Sequence, residues 1–275
     1  MKKILRTLGS RIFRYLPPDD EAWYSLCLAY VNRYRGENND DMHTNGELNL
    51  LRQALVGRQI VFDIGANVGN WSATAHEIDP DIELHCFEPS AATFEKLKAK
   101  LLPENAHLNN FGLSSRSAER DLYIYEAGSG LNTLYQRQGL EDGWNLYPPE
   151  HTELIRLETL DWYCQTNDIE TIDFLKVDVE GHELEVFKGG MMMLGNQRIK
   201  TIQFEYGGCN IDVGILLRDY FNFFQPLNYT LYKIYPGGLR RYPKYDQRIE
   251  NFQYQNWAAL CQGNNFKPGA VITEG

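Results

Sequence analysis

Asp178, Glu180 and His182 alternate in the run Lys176-Val-Asp-Val-Glu-Gly-His-Glu183, directly after the apolar segment 171–177. In an extended conformation alternate residues share a face, so three groups able to hold or take a proton would converge at the carboxyl end of a strand. Asp178 or His182 could then act as a general base toward a hydroxyl, whose own pKa lies far above neutrality. Quieter roles fit the same residues. His182 can cap a helix, Glu180 and Glu183 suit a first helical turn, Lys176 can pair with a carboxylate, and Lys188 reads as a surface charge. The oxygens could also hold a divalent cation, but the spacing lacks a full ligand set and no metal is predicted. Glu205, which closes the apolar run Ile199–Tyr206, is a further catalytic candidate, either orienting an acceptor or pairing with Lys176.

A second constellation follows another short apolar run. Asp63-Ile-Gly65-Ala-Asn67-Val-Gly69 has the strand, glycine turn and helix pattern by which open α/β proteins bind nucleotide-like ligands. In a dinucleotide turn the second glycine lets the backbone approach a pyrophosphate, and Asn67 occupies that place here. A carboxylate at Asp63 would repel a diphosphate and suit a cation, such as the amino group and sulfonium of S-adenosylmethionine. Glu88 ends the next apolar run twenty-five positions after Asp63, where it can accept hydrogen bonds from two ribose hydroxyls. Methyl transfer from a sulfonium is an in-line displacement, so positioning should supply much of the acceleration.

Alternating elements must position these residues. Strands are expected at 59–64, 82–87, 107–113, 171–177, Ile199–Tyr206, 230–235 and 256–261, with helices at 71–78, 91–102, 181–190 and 214–224 between them. Two period-two runs, 120–126 and 152–157, read as an inserted strand pair, and their long connection, 127–150, as a loop able to close over a pocket. Residues 236–252 read as a Tyr- and Arg-rich loop. Ahead of the first strand, Glu21–Arg35 and 48–55 read as helices. The expected layout is a helical extension at 1–58, a main domain at 59–263 and a loose tail at 264–275.

Four motifs in this order carry a resemblance: Asp63-Ile-Gly-Ala-Asn-Val-Gly, Phe87-Glu88-Pro89, Asn110-Phe-Gly-Leu-Ser114 and Lys176-Val-Asp-Val-Glu-Gly-His-Glu183. Together they resemble the FkbM-type S-adenosylmethionine-dependent methyltransferases, over about residues 60–206. The fourth motif is the most specific, since many methyltransferases share the first two. The resemblance implies an α/β, Rossmann-like class I methyltransferase fold with a mostly parallel seven-stranded sheet of order 3-2-1-4-5-7-6. It also implies O-methylation, often of sugars or natural products. By it, Gly65, Asn67, Gly69 and Glu88 are cofactor-binding with Asp63, and Asn110, Gly112 and Leu113 lie beside the adenine. Ser115 departs from the pattern, because family members often carry an acid there.

Composition narrows the partners. A net charge of −10 argues against nucleic acid bound chiefly through phosphates, and the resemblance implies a small-molecule or glycan acceptor. Five scattered cysteines without a Cys-x-x-Cys pair point to reduced thiols and a cytoplasmic protein. No apolar run reaches membrane-spanning length. Residues 1–16 carry five positive charges and apolar residues at helical spacing. They read as a basic amphipathic helix that, with the helix after it, is a candidate homodimer surface. Two other readings share parts of the pattern. A nicotinamide-dependent oxidoreductase would use Glu88 but leaves Asp63 and Asn67 unexplained, and a non-catalytic methyltransferase-like binding protein would have no need of Asp178, Glu180 and His182.

Overall fold

The computed structural model describes residues 14–262, apart from 16, 18, 58, 101, 127 and 140–147. Helices α1 (Glu21–Arg35) and α2 (Glu47–Ala54) come first. They are followed by strand β1 (Ile60–Ile64), helix α3 (Asn70–Ile78), strand β2 (Glu83–Phe87), helix α4 (Ala91–Lys98) and strand β3 (His107–Asn109). Three strands depart from that alternation: β4 (Gly112–Leu113), β5 (Ala118–Ile124) and β6 (His151–Glu158). It resumes with α5 (Leu160–Thr166), β7 (Ile172–Val177), α6 (Glu183–Lys188), α7 (Met191–Gly195) and β8 (Ile199–Tyr206). Helices α8 (Cys209–Val213) and α9 (Leu217–Phe224) lead to β9 (Tyr229–Tyr235), β10 (Gly238–Tyr242) and β11 (Gln255–Cys261).

The main sheet has the order β10-β9-β11-β8-β7-β1-β2-β3. The five strands from β8 to the β3 edge are parallel, and β11, β9 and β10 are added antiparallel at the other side. This is the expected order with an eighth strand at the edge. β1 lies inside the sheet and is covered on both faces, which the apolar run Ile60-Val-Phe62 at its start anticipates. Val61 and Phe62 point to opposite sides, into two separate cores. One gathers Leu50, Trp71 and Leu97 from α2, α3 and α4, and the other Tyr163, Phe187 and Phe224 from α5, α6 and α9.

Several expectations are corrected. The eighth strand, β10, falls inside the predicted 236–252 loop, where Arg240 and Arg241 break the apolar alternation that would reveal it. The predicted 107–113 strand is two strands in two sheets. Phe111 turns inward against Phe87, and the chain crosses to a small sheet of order β4-β6-β5. That crossing explains Gly112, where a Cβ would stand 2.7 Å from Leu157 Cδ2. The helix expected over 214–224 begins only at Leu217, after the separate short helix α8. The basic segment 1–16 lies outside the described residues, Arg14 and Tyr15 apart, as does the tail 264–275. α1 forms as expected and is capped by Asp20, but it buries no residue, and Tyr24, Leu26 and Tyr30 stand well exposed. Among the described residues no helix is long and apolar enough to cross a membrane.

Candidate functional site

The turn after β1 is tied to both neighbouring strands. The Gly65 and Ala66 amides donate to Phe87 O at 3.0 Å, and the Asn67 amide donates to Glu88 Oε2 at 3.1 Å. Gly65 has φ +80°, and a Cβ there would lie 1.8 Å from the Asp178 carbonyl oxygen. Only glycine lets the β1 turn meet the end of β7 so closely. Asn67 also adopts a left-handed conformation, φ 49°, and its buried Oδ1 has no hydrogen-bond partner among the described residues. Gly69 lies against Leu97 of α4. Glu88 is buried at the end of β2, with Oε1 accepting from the Ser90 amide at 2.9 Å. Burial pushes its carboxyl up to about 7.

The structure places Asp63, expected to face a bound cation, away from the cleft. Its side chain is fully buried beneath the turn, where Oδ2 accepts from Ser72 Oγ at 2.6 Å and Oδ1 pairs with Lys176 Nζ at 3.1 Å. It does not border the cleft, so its charge meets a lysine instead of a bound cation. Lys176 also reaches Asp178 Oδ2 at 3.4 Å. Burial opposes the Lys176 charge, but the carboxylates of Asp63 and then Asp178 outweigh it and raise its pKa above the ordinary value. The pairing of Lys176 with a carboxylate is thus realised with these two acids. Asn110 likewise faces backbone, its Nδ2 donating to the carbonyls of Glu88 and Pro89 at 3.0 Å each. Ser115 points away and bonds Glu185 at 2.6 Å.

What the turn opens onto is a cleft. Gly65, Asn67 and Glu88 form one wall, and Gly112 and Leu113 belong to another. Leu122, Ile155 and Leu157 of the small sheet close the apolar side, and Ser129 to Leu134 of the insertion arch over the opening. Asp178, Glu180 and His182 border the far end. The cleft therefore gathers six of the eight expected cofactor positions into its walls or the turn supporting them, while Asp63 and Asn110 bond neighbouring residues instead.

The far end is acidic, but its backbone is not extended. Glu180 has φ 52° and Gly181 φ 96°, so the alternation of Asp178, Glu180 and His182 is folded into a turn. Glu180 is held by Arg137 of the insertion, whose Nη1 lies 3.1 Å from Oε2, while Arg137 Nε lies 3.0 Å from Asp212 Oδ2 of α8. Burial, reinforced by Asp178, pushes the Glu180 carboxyl up to about 8. Glu205 is raised for the same reasons, burial first and then Asp178 and Glu180. Ligand atoms of Glu180, Glu205 and Cys209 lie within 4.8 Å of one another. Buried His182 has both nitrogens engaged: Nδ1 is 2.7 Å from the Tyr135 hydroxyl, and Nε2 is 2.9 Å from Ser114 Oγ. Burial holds its pKa down to about 4, so at neutral pH it is an uncharged strut.

Arg137 and Tyr135 were not visible as site residues in the sequence. Both sit in the insertion some forty-five positions ahead of the groups they hold, and no local spacing connects them. Thr133 of the insertion donates through its hydroxyl to the Glu180 carbonyl at 2.9 Å. Asn132 bonds the insertion's own backbone at Tyr125 and Glu126.

Known proteins share this arrangement of sequence. The Methyltransferase FkbM domain matches residues 63–229. AMB antimetabolite synthetase AmbE of Pseudomonas aeruginosa is 27% identical over 206 residues, covering 62% of this chain and 10% of that protein. Hexuronic acid methyltransferase AglP of Haloferax volcanii is 25% identical over 179 residues, 63% of this chain and 69% of the relative. The 2-O-methyltransferase NoeI of Sinorhizobium fredii is 27% identical over 150 residues, 50% of this chain and 60% of the relative. The chain spans less than two thirds of AmbE and NoeI. With the family's domain spanning more than half of its length, from Asp63 through the acidic turn to the start of β9, the chain belongs to the FkbM methyltransferase family.

Proposed function

We propose that the chain binds S-adenosylmethionine in the cleft between β1, β2 and the small sheet, and methylates a hydroxyl of a sugar, glycan or other natural product. The observation that carries this reading is the pairing of Glu88 with Asn67 on one wall. A carboxylate at the end of the second strand accepts from two vicinal hydroxyls. The Asn67 oxygen beside it is a buried acceptor without a partner among the described residues, a state that costs roughly 1–3 kcal/mol and that a donor on the ligand relieves. Gly112 and Leu113 supply a flat apolar surface for a base. These residues fit the group. When bound, S-adenosylmethionine supplies an electrophilic methyl.

The acidic end would do the rest. Asp178, Glu180 and Glu205 line that end, and a cation beside them favours their ionised forms. Asp178 orients the acceptor hydroxyl, held in place by Lys176. Glu180 accepts the proton, since a carboxyl raised toward neutrality is a stronger base than an ordinary one. His182 keeps the insertion in place through Tyr135. AglP and NoeI, by their names a hexuronic acid methyltransferase and a 2-O-methyltransferase, support a sugar hydroxyl as acceptor. Self-association through the exposed face of α1 belongs to the same reading, and light scattering on the purified protein tests it. The transfer itself is tested by incubating the protein with methyl-labelled donor and a panel of sugars, uronic acids and polyketides. Label in one acceptor class is expected. Label in none, with the donor bound, would leave a binding protein in place of an enzyme.

A further inference from the structure

We propose that Glu83, His85 and His107 form a binding site for a zinc-class divalent cation on the edge of the main sheet, separate from the cleft. Glu83 and His85 lie two residues apart on β2 and so share a face. His107 of the edge strand β3 is the direct register partner of His85. The two imidazoles stack with centroids 4.3 Å apart and planes at 7°, so the half-exposed His107 ring must turn out of the stack for both in-plane lone pairs to reach one ion. Glu83 Oε1 lies 3.4 Å from His85 Nε2 and 3.7 Å from His107 Nε2. One ligand atom from each residue falls within 4.8 Å of the others.

Simple cross-strand packing would explain the stacking but not the chemistry of His85. That side chain is 2% exposed, yet its Nε2 makes no hydrogen bond among the described residues and faces the other two ligands. Its Nδ1 is fixed 2.9 Å from the Tyr163 hydroxyl, which Asn109 also bonds. Second partners of this kind hold metal-binding histidines in one orientation. Two imidazoles and a carboxylate suit a tetrahedral ion whose fourth position is water. The side chain of His107 is half exposed and provides the way in. Such an ion would staple β3, only three residues long, whose continuation Gly112–Leu113 forms a wall of the cleft.

The site stands independently of the methyl-transfer reading. The test is cobalt(II) titration of the purified full chain after chelator treatment, followed by absorbance and thermal unfolding. One equivalent should bind with a tetrahedral nitrogen–oxygen spectrum and raise Tm. His107→Ala and Glu83→Gln should each weaken binding at least tenfold, while S-adenosylhomocysteine binding by His107→Ala stays as in the parent chain, showing an intact fold. Absence of saturable binding would overturn the proposal, as would binding that His107→Ala leaves unchanged. A thiolate-to-cobalt band would also overturn it, because it would put the ion at Glu180, Glu205 and Cys209.

Discussion

Asp63 and Lys176 are register partners on adjacent parallel strands, and their side chains form a 3.1 Å ion pair almost wholly closed to solvent. The pair pins β1 to β7 directly beneath the two turns that build the cleft. Removing one member of a buried pair leaves the other charge uncompensated. Lys176→Met is therefore expected to lose about 3–5 kcal/mol of stability, measured by urea unfolding. Adding Asp63→Asn to it should restore part of that loss. A double variant no more stable than Lys176→Met would show that the pair is not what holds the strands.

Glu180 sets the pH dependence of turnover in this account. A base with a carboxyl pushed up to about 8 must lose its proton to work, so kcat should fall as pH drops below about 8 and level off above it. Glu180→Gln is expected to lower kcat by about 10²–10⁴-fold with little change in S-adenosylhomocysteine affinity. Arg137 favours the Glu180 carboxylate, so Arg137→Gln should move the limb of the profile to higher pH. A limb that stays in place would assign it to another group.

Stability should respond to pH in a window where buried acids act alone. Glu88 and Glu183, pushed up to about 7, and Glu180, pushed up to about 8, hold their protons more tightly folded than unfolded. Their contribution is complete below the ordinary carboxyl pKa and is lost as pH rises through the folded values. His85 and His182, both held down to about 4, act oppositely, but only up to about pH 6.5, where the unfolded histidine titrates. Between about pH 6.5 and 8 the ligand-free protein should lose stability, and Glu88→Gln should lose less. Denaturation at several pH values checks both, and a rise across that window would contradict the assignment.

The insertion is held to the acidic turn by few contacts. Tyr135→Phe deletes the hydroxyl bonded to His182, worth about 1 kcal/mol. Amide exchange across residues 128–139 should quicken while β1 and β7 stay protected. Unchanged exchange would mean that Arg137 and Thr133 suffice.

The sequence was most legible where function and fold make the same demand. Glu88 ends an apolar run, Gly65 and Gly69 punctuate a turn, and both readings survive folding. The burial of Asp63 was not legible because one residue of strand phase decides whether a side chain faces the cleft or the strand beside it, and its partner Lys176 is 113 positions away. The Asp178–His182 alternation misled for a related reason: the positive φ at Glu180 and Gly181 replaces extended geometry with a turn. His85 and His107 showed no ligand spacing in the chain, since strand register alone brings them together. β10 stayed hidden because its edge position exposes Arg240 and Arg241 where a central strand would alternate.

The central claim is that Glu88 and Asn67 hold S-adenosylmethionine in the cleft. Its most direct test is titration calorimetry of S-adenosylhomocysteine into the full chain and into Glu88→Gln. One site is predicted, weakened at least tenfold (about 1.4 kcal/mol) in a variant whose Tm shows it folded. No binding heat in the parent chain, or equal affinity in the two, would contradict the account.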